Sequence, residues 1–328
     1  MKLTVKYISI RECCTGRLGG KKIKRFKYYI FTVLGASCWG LIGLFVAPLY
    51  ERGFTAWDVV AIRGIFTFAF LILFMILFQR EQLRTRLKDH LFFAGTGILS
   101  MALFNYFYFE TFSRSNLSIA VTLLYTGPLF VTILARIFFK EPLTMRKGTA
   151  LFFAIIGCAF VVGLLPFNQT SISITVVLIG ILSGFCYALY SILSKPLTKR
   201  YSSLTITTFT FLYTSVFMLL TSDLPKKANL FIHLDVWIWS LLLALVATFA
   251  AYVLYTTGLK YLETSKASIL ATIEPIVAVV TGVLFLEDHL FGWQVLGIVF
   301  VLYSAILVAG ERSRKSKQVI QYVDDIQK

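Results

Sequence analysis

Ser265-Lys266-Ala267-Ser268-Ile269-Leu270-Ala271-Thr272-Ile273-Glu274-Pro275 is an apolar stretch with a carboxylate and a proline at its centre, and it runs on through Ile276 to Asp288. Its twin lies 147 residues earlier, from Ser118 through Gly127-Pro128 to Glu141. At that offset Ser118 meets Ser265, Leu123 meets Leu270, Pro128 meets Pro275, Phe138 meets Phe285 and Glu141 meets Asp288. A proline inside a helix removes a backbone hydrogen bond and leaves a carbonyl free. Lipid cannot satisfy that carbonyl, so the break is tolerated only against protein or a wet cavity. Two interrupted apolar segments in corresponding places of two halves point to a transport site between them.

The composition sets the same frame. The chain has 328 residues, 58% of them hydrophobic and 15% charged, where a soluble chain is about a quarter charged. The charges are absent from long runs, so the expected class is an all-α polytopic membrane protein. Ten apolar segments fall near 28–49, 59–78, 91–110, 117–139, 148–165, 174–193, 205–222, 236–257, 267–286 and 292–309. Several are at the short end of the ~17–25 residues that span a bilayer.

The net charge of +16 does not read as a nucleic-acid surface, because the basic residues sit in short loops between apolar runs. Of the 32 Lys and Arg, 26 fall on the side of the N-terminus, in the tails and alternate loops. The other side has only Arg52, Arg114, Lys226 and Lys227, while Arg63 and Arg136 lie within helices. That asymmetry places both termini in the cytoplasm. It also requires an even number of spans. Residues 1–27 read as a basic cytoplasmic tail without a secretory signal, and 310–328 as a second tail. Cys38, Cys158 and Cys186 fall in apolar segments, and Cys13-Cys14 in the tail has acylation as its one functional reading. No disulfide framework or metal spacing is present.

The first helices of the halves also match, at offset 148: Cys38 meets Cys186, Pro48 meets Pro196 and Trp39-Gly40 meets Tyr187-Ala188. Five helices per half is odd, so the second half crosses in the opposite sense. The expected units are an inverted pair, 28–165 and 174–309. Small residues at three- and four-residue spacing (Ala36, Gly40, Gly43 and Ala47; Gly180, Gly184 and Ala188) are expected to be packing faces. Trp39 and Tyr187 sit beside these stripes near mid-membrane, where either a cavity wall or interhelix packing would use them.

Few charges enter the membrane, and such charges are functional candidates by default. Glu274 has Gly127 as its counterpart and Arg63 has Phe211, so neither serves the shared fold. Glu274 reads as a proton carrier or as the counter-charge of a cationic group, the alternative being a carboxyl bonded to the carbonyl freed by Pro275. Helix rise separates Arg63 and Glu274 by roughly 12 Å of depth, so a water-mediated link is expected rather than a salt bridge. Tyr125 is a further solute-contact candidate, with Asn105 and Tyr106 behind it. Tyr108 and Tyr255 are symmetry mates that read as gates in two access states or as interfacial anchors. Pro128 and Pro275 are the helix breaks. No nucleotide-binding loop, serine elbow or metalloprotease motif occurs, so no enzyme activity and no cofactor is expected.

With these residues in hand the chain resembles the EamA-like branch of the drug/metabolite transporter superfamily. The marks are Trp39-Gly40, Arg63, Pro128 to Glu141-Pro142-Leu143, and Glu274-Pro275 to Glu287-Asp288-His289-Leu290 closing into Gly297. The resemblance spans 28–309. Asp288 stands where that family often has Glu, and Ala150 where it often has Gly. It implies a multi-pass plasma-membrane permease of bacterial type, without ATP, moving an amino acid, another metabolite or a toxic compound outward. The implied partners are a small-molecule solute, protons as a coupling ion and the lipid bilayer, with no nucleic acid, in a monomer or homodimer. A reading from another class is a lipid-handling protein or enzyme that uses Glu274 and Arg63 on a headgroup. The topology is checked by cysteine labelling from outside, after removal of the native cysteines. A cysteine placed at Ser171 should react and one at Ser202 should not; the reverse pattern would end the orientation argument.

Overall fold

The computed structural model describes residues 17–115, 117–162, 164, 173–285 and 291–310. Cys13-Cys14, the loop near Pro166, Asp288 and the C-terminal tail lie outside them. In chain order the helices are α1 (Arg17–Gly40), α2 (Ile42–Glu51), α3 (Ala56–Phe78), α4 (His90–Ala94), α5 (Leu103–Arg114), α6 (Leu117–Leu124), α7 (Gly127–Phe139) and α8 (Met145–Val161). The second half continues with α9 (Ile174–Leu197), α10 (Ser203–Thr221), α11 (Leu234–Ala244), α12 (Ala251–Tyr261), α13 (Thr264–Ala271), α14 (Glu274–Phe285) and α15 (Gly292–Ala309). Helical residues therefore begin at Arg17, inside the stretch expected to be a tail. Among the described residues nine helical segments, several of them interrupted, are long and apolar enough to cross a membrane. α8, at 17 residues, is shorter than these and packs lengthwise on α15.

The interruptions are complete breaks rather than kinks. Tyr125 and Thr126 separate α6 from α7, and Thr272 and Ile273 separate α13 from α14. Pro128 and Pro275 thus start the second pieces, where a missing N–H costs nothing. The Thr126 and Thr272 hydroxyls donate to the carbonyls of Leu123 (2.6 Å) and Ile269 (2.7 Å) beside the breaks. α4 continues into α5 through a π-helical segment, Gly95–Ala102, and α11 into α12 through another, Leu245–Ala250. The offset of 147 lays these two segments over each other. Such bulges loosen carbonyls, and in the second the Thr248 and Thr67 hydroxyls donate to Leu243 (2.8 Å) and Ala244 (3.1 Å).

The packing obeys the repeat. α3 packs on its counterpart α10, and α8 on its counterpart α15. α1 against α12 mirrors α9 against α5, and α9 against α7 mirrors α1 against α14. Two close approaches need glycine. A Cβ on Gly40 would lie 2.7 Å from the Glu274 carbonyl oxygen, and one on Gly127 would lie 2.7 Å from Tyr187 Cδ1. The stripe on the first helix is shorter than expected, because Gly43 is exposed and faces open space.

The symmetry fails most plainly at the two broken spans. α7 packs on α13, and every residue of α13 from Thr264 to Ala271 is buried. The same operation would bring α14 onto α6, yet those two lack comparable packing among the described residues. In α14 only Pro275, Ile276, Thr281 and Gly282 are buried. The halves are closed at the end that carries Glu141 and are apart at the other.

A buried ionic clasp holds that closed end. Lys140, at φ 55° in the left-handed region, turns the chain after α7 and aims Glu141 at the start of α13. The carboxylate accepts from the Thr264 N–H (2.6 Å), the Ser265 N–H (3.1 Å) and the Ser265 hydroxyl (2.6 Å). Helix-start N–H groups otherwise lack partners, and the helix dipole favours the negative charge there. Lys147, buried, lies 2.7 Å from Glu263 and 3.8 Å from Glu141, and Lys266 lies 3.8 Å from Glu263. Burial alone would raise the pKa of Glu141, but the bonds from Ser265 and Thr264 and the Lys147 charge outweigh it and hold the carboxyl below its usual range. A lowered folded value stabilises fully above the unfolded pKa and is lost as pH falls through the folded one. Glu141→Ala should therefore cost about 3 kcal/mol at neutral pH, read as a drop in Tm. The gap from wild type should persist down to about pH 5 and close in stronger acid. An equal Tm at pH 7 would remove the clasp.

Candidate functional site

The site is built where α1 ends, α9 and α12 run past each other, and α14 begins. Gly40 lets α1 approach the first turn of α14, which sets Trp39 on α1 near the break of the ninth span. Tyr187 on α9 covers Gly127 at the corresponding break in the first half. Both rings line one small cavity, completed by Tyr190, Tyr252, Tyr255 and Met101. The centroid of Trp39 lies 5.0 Å from that of Tyr252 and 5.1 Å from that of Tyr255, and Tyr190 stands edge-on to Tyr252 at 5.0 Å.

The hydroxyls beneath the rings are bonded across helices. Tyr190 pairs with Thr256 (2.6 Å) and Ser191 with Tyr255 (2.7 Å), both joining α9 to α12. The Tyr252 hydroxyl donates to Met101 Sδ (2.9 Å). Tyr255 is 1% exposed, which excludes it as an interfacial anchor. The buried indole N–H of Trp39 has no partner among the described residues. An unpaired buried donor costs about 1–3 kcal/mol, a cost that a polar group of a bound solute would remove.

Charge enters from two sides. Arg63 is buried on α3, and its Nε donates to Thr248 Oγ1 (3.2 Å) inside the second π-helical segment. Glu274, half-buried at the head of α14, has the Tyr125 hydroxyl beside it. Arg63, Tyr108, Tyr125, Tyr187 and Tyr252 all lie within its electrostatic reach. Arg63 and Glu274 make no direct ion pair, in keeping with the separation expected from helix rise.

The structure thus brings Glu274, Arg63, Tyr125, Tyr187 and Tyr108 into one electrostatic neighbourhood, and Trp39, Tyr187 and Tyr255 around one cavity. Asn105 and Tyr106 stand apart. Asn105 donates to the Met101 carbonyl of its own helix (2.6 Å), and Tyr106 is 49% exposed. Sequence reasoning missed Tyr190, Tyr252 and Thr248. The two tyrosines carried a signal, since Tyr187/Tyr190 and Tyr252/Tyr255 are spaced at i, i+3 and share helix faces. Among the described residues no three His, Cys, Asp or Glu come together as a metal site needs.

A family model described as the EamA-like transporter family matches residues 26–163 and again 174–310. The chain belongs to the EamA-like transporter family. It is a multi-pass membrane transporter. An uncharacterized transporter of Archaeoglobus fulgidus is 28% identical over 65% of this chain and 75% of its own. An uncharacterized transporter, YyaM, of Bacillus subtilis is 24% identical over 71% of this chain and 76% of its own. The threonine/homoserine exporter RhtA of Salmonella typhimurium is 25% identical over 63% of this chain and 68% of its own. A crystal structure with a TM-score of 0.73 and 14% identity covers 86% of this chain and 96% of that one, a likeness of fold alone.

The Trp39 N–H is the sharpest probe of the cavity in this EamA-like chain. Trp39→Phe keeps the ring stack and removes one donor. If that donor binds solute, the half-saturating concentration for transport should rise about fivefold, the worth of one hydrogen bond, with Tm nearly unchanged. Unchanged saturation in Trp39→Phe, together with a large Tm loss in Trp39→Ala, would make Trp39 a packing residue.

Proposed function

We propose that this chain is a secondary transporter that exports an amino acid or similar small metabolite across the plasma membrane by alternating access. Ten spans, in two inverted halves covering 28–165 and 174–309 with both termini cytoplasmic, provide the frame. The observation that carries this reading is the broken symmetry. Two halves whose main helix pairs pack as mates meet at the Glu141 end and part at the other, which is what one of two access states would look like. In this orientation the closed end is cytoplasmic. The hydrogen-bonded layer at Ser191 and Tyr255 then serves as the inner gate, and Tyr108 as its outer counterpart.

Glu274, Arg63, Trp39, Tyr187 and Tyr125 form the solute contacts. A carboxylate and a guanidinium that share a neighbourhood without pairing suit a zwitterion, the ammonium toward Glu274 and the carboxylate toward Arg63. The threonine/homoserine exporters among the relatives favour the same class. Protons are the coupling ion in this reading if Glu274 also exchanges one during the cycle.

Amino-acid counterflow in proteoliposomes of unreactive lipid tests the proposal, with threonine and homoserine as first solutes. Glu274→Gln should lower counterflow tenfold or more if the carboxylate holds the ammonium, about the worth of a charged hydrogen bond. If it carries the proton instead, counterflow should survive while the response to a pH gradient disappears. Wild-type values of both would take Glu274 out of the site. Absence of solute movement by the wild type for every amino acid tried would return the lipid-headgroup reading.

A further inference from the structure

Below the aromatic cavity lies a second one, and its walls differ. It has a volume of about 500 Å³, within the range of small-molecule sites. It opens where the C-terminal ends of α7, α9 and α12 converge. Lys140, Lys195, Lys199 and Lys260 line it, together with Glu141 and Glu263.

The charges do not balance within the cavity. Glu141 is taken up by Thr264 and Ser265, with Lys147 nearby, and Glu263 by Lys147 and Lys266. Lys147 and Lys266 are each 1% exposed and lie outside the lining. The two carboxylates are thus matched by two buried ammonium groups. Of the four lysines that do line the cavity, Lys195 lies within the electrostatic reach of Glu141 and Glu263, while Lys140, Lys199 and Lys260 make no ion pair among the described residues.

Lysines near helix C-termini complement the helix dipole, an effect worth tenths of a kcal/mol. That accounts for Lys195, which donates to the carbonyls of Leu259 and Leu262 at the end of α12. It does not account for three more ammonium groups gathered on one concavity, one of them presented by a residue in the left-handed region. A concave wall of low dielectric focuses such a field and concentrates the opposite charge.

The location gives the cavity a use. Tyr187, Ser191 and Lys195 recur at four-residue spacing down α9, with Lys199 in the turn that follows it, and Tyr252, Thr256 and Lys260 recur likewise down α12. Residues so spaced share a helix face. The two faces run from the aromatic cavity, through the Ser191–Tyr255 and Tyr190–Thr256 bonds, to the lysines. The lysine cavity is separated from the candidate solute site by about one helical turn.

We propose that this cavity is an anion-binding antechamber that takes an oxyanion, a carboxylate or a phosphate, before the inner gate opens. Its cytoplasmic side rests on the topology above; its chemistry does not. Two sources supply such a group: a free solute and the headgroup of an anionic phospholipid.

The test uses the full chain in phosphatidylcholine nanodiscs, where both faces are accessible and no transport is needed, so failure of the transport reading leaves it intact. After removal of the native cysteines, Pro196→Cys places a reporter on the cavity wall, with Phe139→Cys as a second. Modification rates are compared for an anionic sulfonatoethyl and a cationic trimethylammonioethyl methanethiosulfonate. The anionic reagent should react faster by on the order of tenfold. Lys140→Gln/Lys199→Gln/Lys260→Gln should bring the ratio near one. Arg84→Gln/Arg86→Gln/Lys88→Gln, a neutralisation outside the cavity, should leave it high. Slowing by millimolar acetate or inorganic phosphate would assign the site to a free oxyanion. Slowing only when phosphatidylglycerol replaces phosphatidylcholine would assign it to a headgroup. A ratio near one in the parent, no response to the triple neutralisation, no slowing by any of the three anions, or no modification of either reporter would each overturn the proposal.

Discussion

The first backbone N–H groups of α13 find their acceptor in Glu141. They lie inside a bundle, at the start of a buried half-helix, where lipid offers no acceptor. A carboxylate from the other half takes Thr264 and Ser265, and in doing so it fixes which end of the protein is shut. A water molecule could satisfy the same donors with no such consequence. Because the acceptor is carried by the opposite repeat, backbone satisfaction and closure become one event. The buried ammonium of Lys147 makes the arrangement tolerable, since a lone carboxylate at that depth would be costly to bury.

The rest of the architecture follows from the same demand. Breaking the fourth and ninth spans frees carbonyls, and Thr126 and Thr272 answer them. Loosening the third and eighth into π-helical turns frees others, and in the eighth the Thr67 and Thr248 hydroxyls donate to them. Thr248 has a second task, since its hydroxyl also receives Arg63. An intramembrane cation is thereby tied to an irregular backbone segment rather than to an acid. That leaves Glu274 without a direct ion pair, which is the feature the proposed zwitterionic solute would use.

Much of this was legible in the sequence, and the limits are instructive. The repeat, the paired breaks and the unpaired status of Glu274 and Arg63 all follow from aligning the chain on itself, because inverted halves keep their register along the sequence. The site tyrosines beyond Tyr187 were partly visible as i, i+3 pairs, but nothing in periodicity says which face of α12 turns inward. Thr248 was invisible, since a π-bulge changes the helical phase and spacing arguments assume a constant one. The breaks at Pro128 and Pro275 were legible as breaks, but the Thr126 and Thr272 hydroxyls that answer the freed carbonyls were not. The clasp was half visible. Glu141 was matched with Asp288, but its partnership with Ser265 depends on two halves meeting in space, which self-alignment does not contain.

The two stripes on α9 and α12 show how a single helix face can change character along its length. At the level of Tyr187 and Tyr252 the face is aromatic, and the rings meet edge-on or tilted. One turn further, at Ser191 and Thr256, it is a layer of neutral hydroxyl pairs. Another turn on, at Lys195 and Lys260, it is cationic, with Lys199 in the turn after α9. The order has a physical logic. Ammonium groups cannot be placed beside the rings at mid-membrane without a large desolvation cost, and rings at the wet end would gain nothing by stacking. Neutral hydroxyls are the one class that tolerates both neighbours. They can exchange partners without moving charge, which suits the level of the proposed inner gate. If the proposed inner gate lies between the aromatic pocket and the charged mouth, it needs residues of this polarity there, and both halves of the pairing, on α9 and on α12, supply them.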